Sequence, residues 1–305
     1  MRLVDVTLAC LGRAGRDVSR EDAASWRALL RDLGADRVED AADGDGRAHL
    51  CPLADAGPCG PLFLERAADV VPEELAGRGT APLRLFGLDD ALLLEDWRGF
   101  LARLRDLAPS PPLELAFGNS LGCATALGLT WLLDGGETLV CSFAGVGNLA
   151  PFEEVAMALR MSGAGSFTGL SRLPSARALF GRMAHALARA LVPPTKAVVG
   201  HAIFAVESGI HVDGLRKDPA LYEPFAPESV GAKRRVVPGA HSGASAIRLC
   251  CEVLGLPCDA EQASDLLVAV RNLSRKLGHS LGEDEFRFLH ERVCREGWYA
   301  AVACD

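Results

Sequence analysis

Leu115-Ala116-Phe117-Gly118-Asn119-Ser120-Leu121-Gly122-Cys123-Ala124-Thr125-Ala126-Leu127-Gly128-Leu129-Thr130-Trp131-Leu132-Leu133 carries no charged residue. The run is long enough to raise the question of a membrane span, which needs about 20 apolar residues. Its glycines and polar residues answer that question. Gly118, Asn119, Ser120 and Gly122 break it near the start, and Thr125, Gly128 and Thr130 follow. They divide it into a strand ending at Phe117, a polar glycine-containing turn and the start of a buried helix, which suits a parallel α/β core and no membrane crossing.

The same alternation extends outward on both sides. Leu3-Val4-Asp5-Val6-Thr7-Leu8 reads as the first strand. Ser19 with Asp22 three residues on reads as a helix start, Glu21 to Leu33 has apolar positions at helical spacing, and Gly34 stops it. Further strands are expected at Arg37-Val38-Glu39, Leu83-Arg84-Leu85-Phe86, Leu113 to Phe117 and Thr138 to Phe143, with helices over Leu94 to Leu107, onward to Leu133, and Phe152 to Met161. The stretch from Asp43 to Thr80 is rich in glycine, proline and alanine, with His49-Leu50-Cys51 and Leu62-Phe63-Leu64 as its only strand candidates. The count reaches roughly six strands, short of the eight that close a (β/α)8 barrel. Beyond Pro151 the pattern is helix-rich to Leu191 and irregular from Pro193-Pro194 to about Gly243. Helices then follow near Ala244 to Leu254, Ala260 to Leu277 and Gly282 to Glu296.

With 305 residues, 49% of them hydrophobic, the chain can bury a substantial core. Its 32 basic and 40 acidic residues give a net charge of -8, so no overall positive field is available for nucleic acid or an anionic membrane. The ten cysteines include no C-x-x-C pair and no secretory signal precedes them. They read as reduced thiols of a cytoplasmic protein.

Gly200-His201-Ala202-Ile203-Phe204-Ala205-Val206-Glu207-Ser208-Gly209-Ile210-His211-Val212-Asp213-Gly214 resembles the G-E-x-V-F-x-H-E-S-G-I-H-V-D-G stretch of the homocitrate synthase and 2-isopropylmalate synthase family. The match continues in step through Lys217 to Phe225 (K-D-P-x-x-Y-E-P-F), Pro227 to Gly231 (P-E-x-V-G) and Gly239 to Gly243 (G-K-H-S-G). Upstream, Gly147 to Leu159 is similar to G-N-A-x-L-E-E-V-x-M-A-L. The resemblance implies a (β/α)8 barrel, a linker subdomain with the G-I-H segment and a small helical subdomain. It also implies metal-dependent condensation of acetyl-CoA with a 2-oxo acid. No leucine-sensing C-terminal domain is expected after the helical subdomain, which makes homocitrate synthase the nearer comparison.

Departures from the family pattern shape the expectation. In Asp5-Val6-Thr7-Leu8-Ala9-Cys10, Ala9 stands where the family has arginine and Cys10 where it has a metal-binding aspartate; Ala116 and Gly118 replace both histidines of H-x-H. Phe143 to Asn148 keeps only the last two residues of G-E-R-A-G-N. No metal and no other cofactor is therefore expected, and Cys10 reads as a buried small residue. An incomplete or reduced TIM-type barrel over 1–160 is expected, followed by a linker subdomain over 161–243 and a helical subdomain over 244–305.

The candidate site residues carried over by resemblance are His211 and Tyr222, which in the family reach the neighbouring subunit's active site, and Glu207, expected to orient His211. His241-Ser242-Gly243 reads as a turn whose hydroxyl caps the following helix, Asp89-Asp90 as a solvated loop, and Glu39 as a substrate-side position lacking its partners. The leading expectation is a catalytically incomplete protein acting as partner or regulator of an intact homologue, in a homodimer or heteromer. An acyl-CoA or 2-oxo acid is the expected ligand class. The competing expectation is an active acyltransferase with a rebuilt site.

Overall fold

A computed structural model describes residues 1–40, 62–64, 67, 83–106 and 112–296. Contacts divide the chain into two compact units, Met1–Gly200 and His201–Asp305. The division falls inside the span expected for the linker subdomain. No described helix is long and apolar enough to cross a membrane.

The first unit is built on a parallel sheet of β1 (Arg2–Asp5), β2 (Arg37–Val38), β3 (Leu62–Leu64), β4 (Leu83–Gly87), β5 (Leu113–Phe117) and β6 (Thr138–Cys141) in the order β2-β1-β6-β5-β4-β3. Each strand lies beside its neighbours in sequence and β6 pairs with β1; among the described residues β2 and β3 are the one consecutive pair not bonded together. The strand His49-Leu50-Cys51 expected between them lies outside the described residues.

Register decides which side chains share a face. Arg84 stands opposite Glu114, Glu114 opposite Thr138, and Val4 opposite both Val140 and Arg37. In a flat sheet β2 and β4 would be four strand spacings, roughly 19 Å, apart. Arg84 nevertheless donates to both carboxylate oxygens of Glu39, just beyond β2, at 2.7 and 2.8 Å. It also reaches Glu114 at 2.9 Å, while Arg37 bridges Glu39 at 2.8 Å and Glu114 at 2.7 Å. The sheet is therefore rolled, with β2 facing β4 and β5 across a concave side that holds two arginines and two glutamates.

The opposite face presents Leu3, Leu85, Leu115 and Leu139, all buried. Ser19 caps the Arg20–Leu33 helix by accepting the Asp22 N–H at 3.1 Å, and Gly34 ends it at φ 107. That helix buries Trp26, whose ring meets Phe143 edge to face at 5.3 Å; Phe180 of the Leu173–Ala184 helix completes the cluster at 5.3 Å from Phe143.

Two strands, β1 and β6, end two or three residues short of expectation. β1 stops at Asp5 because its carboxylate accepts the Thr7 hydroxyl at 2.7 Å and the Thr7 N–H at 3.3 Å, turning the chain into the Thr7–Arg13 helix. β6 stops at Cys141, and Ser142 donates to the Val146 carbonyl at 2.6 Å across a tight turn. The Trp97–Asp106 helix starts later than Leu94 because Ala91–Leu93 forms a short turn of its own; Leu107 lies outside the described residues.

In the second unit, helices Ala244–Leu254, Ala260–Leu277 and Glu283–Glu296 pack Ile247, Leu266, Val270 and Phe286 into a small core. Asp259 and Gln262 form a reciprocal capping box. The stretch expected to be irregular contains the Gly209–Lys217 helix and a two-stranded parallel pair, β7 (Ala205–Val206) and β8 (Arg235–Val236). Glycines at 209 and 214 obscured the helical spacing there.

Candidate functional site

Parallel α/β folds gather their functional loops at the carboxyl ends of the strands. There a cavity of about 830 Å³ opens, bounded by Cys10 after β1, Phe86 to Asp89 at the end of β4, Gly118 and Asn119 after β5, Ala144 to Leu149 after β6, and Lys196. Cys10 and Gly118, singled out from the sequence, line one cavity; Ala116 lies on the same face of β5 as Gly118, one step deeper.

The chemistry of these positions is that of packing. Burial first, and then the Asp5 charge, push the Cys10 thiol up to about 12, so it stays protonated at neutral pH. Cys10 lies against Gly147, where an added Cβ would meet its sulfur at 2.6 Å. Above Gly118 the space is taken by the Asp89 carboxylate, which a Cβ at 118 would meet at 1.5 Å. Asp89 accepts the Ser120 N–H at 3.2 Å and Asp90 the Ala67 N–H at 2.7 Å, so both carboxylates hold loop backbone. The retained asparagines also build loops. Asn119 accepts the Ala124 N–H at 3.1 Å, and Asn148, at φ 61, donates to the Ser120 hydroxyl at 2.8 Å. Lys196 pairs with Glu154 at 2.6 Å. Among the described residues no three histidine, cysteine, aspartate or glutamate side chains converge in a way that could hold a metal ion.

Two buried carboxyls escaped the reading of the sequence. Asp5 is raised to about 6 by burial, against the opposing hydrogen bonds of Thr7 and Trp26. Glu153 is raised to about 7 by burial; one oxygen accepts the N–H of Ala144 at 2.9 Å, and the other has no partner among the described residues. Ala144 holds φ 56, unusual for a residue with a side chain, and the Glu153 bond pins it there.

Glu153 makes stability depend on pH. In the unfolded chain it titrates near 4.5, and in the fold near 7. Between those values the folded protein keeps a proton that the unfolded chain has released, so this contribution to stability falls as pH rises through the window and is level above it. Glu153→Gln, which cannot ionise, should therefore match the parent most closely near pH 4 and exceed it by up to roughly 3 kcal/mol at pH 8. Urea unfolding at both pH values reads this directly. A gap that does not widen with pH would mean that the carboxyl is already ionised in the fold.

The second unit holds the other candidates. His211, on the Gly209–Lys217 helix, is exposed and lies against Tyr222, itself 45% exposed, with ring centroids 4.7 Å apart. Gly214 makes this possible, since a Cβ there would stand 2.3 Å from the Tyr222 ring. His211 and Tyr222 thus present an imidazole and a phenol side by side to solvent. Glu207 plays a different part from the one expected. Its carboxylate accepts the N–H of His241 and the Ser280 hydroxyl, the latter at 2.6 Å, so it ties the 239–243 turn to the chain before the last helix and does not orient His211. Ser242 is likewise redirected. It accepts the Gly239 N–H at 2.9 Å and donates to the Glu207 carbonyl at 3.3 Å, and the following helix has Gly243 at its cap with no side-chain bond.

Comparison with known proteins gives a consistent picture. The family described as "Homocitrate synthase post-HMGL domain-like" matches residues 198–277. Homocitrate synthase 1 of a Nostoc species is 38% identical over 178 residues, 57% of this chain and 46% of that protein. Homocitrate synthase of Frankia alni is 38% identical over 210 residues, covering 62% and 55%. 2-Isopropylmalate synthase 2 of Caldanaerobacter subterraneus subsp. tengcongensis is 37% identical over 196 residues, covering 62% and 50%. The chain thus spans about half the length of the curated relatives it matches.

Proposed function

We propose that this chain, 37–38% identical to homocitrate and 2-isopropylmalate synthases over the matched residues, is a catalytically incomplete member of their family that lends its His211–Tyr222 pair to an intact homologue. In this reading its rolled sheet is a reduced (β/α) barrel, and the mouth cavity is a site that has lost its metal.

The observation that carries the reading is a contrast between the two units. In the cavity the positions that would supply a divalent metal hold a neutral thiol at Cys10 and no donor at Ala116 or Gly118, and Asp89 fills the space over Gly118. A hard divalent ion needs several oxygen or imidazole donors converging, and this set does not fit one. In the second unit the imidazole and phenol stand together and exposed, supported by Gly214. A chain that completes another's site keeps the residues it donates and has no use for its own metal ligands. A homodimer or a heteromer with an intact homologue supplies the setting, with an acyl-CoA or a 2-oxo acid as the ligand class.

A second reading keeps the chain an active acyltransferase with a rebuilt site, and Asp89 is the residue that favours it, being a carboxylate at the cavity wall. Metal titration separates the two. The full chain, stripped with chelator, should take up no stoichiometric zinc, manganese or magnesium and release no coenzyme A from acetyl-CoA with a 2-oxo acid. One equivalent of metal bound together with such an activity would establish the rebuilt-site reading instead.

A further inference from the structure

The second unit contains a cavity separate from the His211–Tyr222 pair. It measures about 390 Å³ and is walled by the Gly209–Lys217 helix, β8, the Ala244–Leu254 helix and the start of the Glu283–Glu296 helix. Val212, Leu249, Leu254, Leu281 and Phe286 give it an apolar interior, with Val253 at its edge. This size lies within the range of small-ligand sites, which are mostly apolar with a few placed polar groups.

The rim supplies the polar groups, and their pairing leaves one charge over. Arg234 is held by Glu223 at 2.6 Å, and Glu283 is held by Arg287 at 2.9 Å. Arg235, on β8, has no ion-pair or side-chain hydrogen-bond partner among the described residues. An apolar chamber with a single spare guanidinium at its mouth complements a molecule with an aliphatic body and one anionic end. The geometry points to a binding site for an aliphatic monocarboxylate, with the chain in the cavity and the carboxylate on Arg235. The site stands apart from the catalytic reading and does not depend on it.

Sodium octanoate is the probe, with 1-octanol as its uncharged counterpart, titrated calorimetrically into the full chain. Octanoate should bind saturably, one per chain, and more tightly than octanol. Arg235→Gln should weaken octanoate at least about tenfold and leave octanol unchanged. Val253, 74% exposed at the cavity edge, can become tryptophan without straining the core. Val253→Trp should weaken both ligands by crowding the mouth of the chamber, with the circular dichroism spectrum and Tm retained. Absence of saturable octanoate binding at millimolar concentration would overturn the proposal, as would octanoate affinity that ignores both substitutions. If Val253→Trp changes self-association while neither ligand binds, the cavity belongs to a protein contact and the proposal fails.

Discussion

Arg84→Met should destabilise the first unit by about 3–5 kcal/mol, the cost of removing one partner from a buried ion pair. Arg84 is 6% exposed and Glu39 7% exposed, and Arg84 is the more buried of the two arginines that join Glu39 to Glu114. Burial alone would push Glu114 up, but the nearby charges of Arg84 and Arg37 more than offset it and hold the carboxyl below its ordinary value. A carboxylate depressed in this way contributes stability that is present above its unfolded pKa and is lost as pH falls through the folded one. In the variant that contribution is largely gone, and Glu114 is left with Arg37 alone, so protonation relieves it. The deficit should therefore be largest near pH 8 and shrink toward pH 4. Urea unfolding across that range tests both size and direction. A deficit below about 1 kcal/mol at pH 8, typical of exposed pairs, would mean that the network is solvated and that the sheet is not rolled around it.

This network also marks where the sequence was legible and where it was not. Arg84 and Glu114 sit inside otherwise apolar strands, which hints at an inward polar layer, but nothing in a linear pattern says that β2 lies across from β4. That relation arises from curvature, a property of the whole sheet. Helices were easier. Phe152–Met161, Ala244–Leu254 and Ala260–Leu277 have the expected bounds because amphipathic spacing and end signals are local. Glu207, Ser242 and Asp89 show the opposite case. Each is a polar residue in a recognisable motif, and each bonds to a backbone group that only the folded loops bring near. His211 and Tyr222 were each legible as motif positions, whereas their contact, and Gly214, which lets the rings approach, showed only in three dimensions.

His211→Ala, made in this chain alone, should lower the turnover of a mixed assembly with an intact homologue by about a hundredfold, the usual minimum for loss of an acid–base group. Tyr222→Phe keeps the ring against Gly214 and removes only the hydroxyl, so a loss of about tenfold is expected. Both residues are exposed, so neither substitution should alter Tm or the association itself. Those two controls separate a lost chemical group from a lost subunit. Turnover unchanged in both variants would reduce the family-like segment to architecture.

If this chain supplies what a partner's site needs while lacking a site of its own, it should rescue a partner stripped of those residues. An intact homologue from the same source, with its own counterparts of His211 and Tyr222 replaced, is mixed with this chain, and coenzyme A release from acetyl-CoA with a 2-oxo acid is followed. Release should be restored by the parent chain and absent with the His211→Ala, Tyr222→Phe double variant; no restoration by the parent chain, although the two proteins associate, would contradict the account.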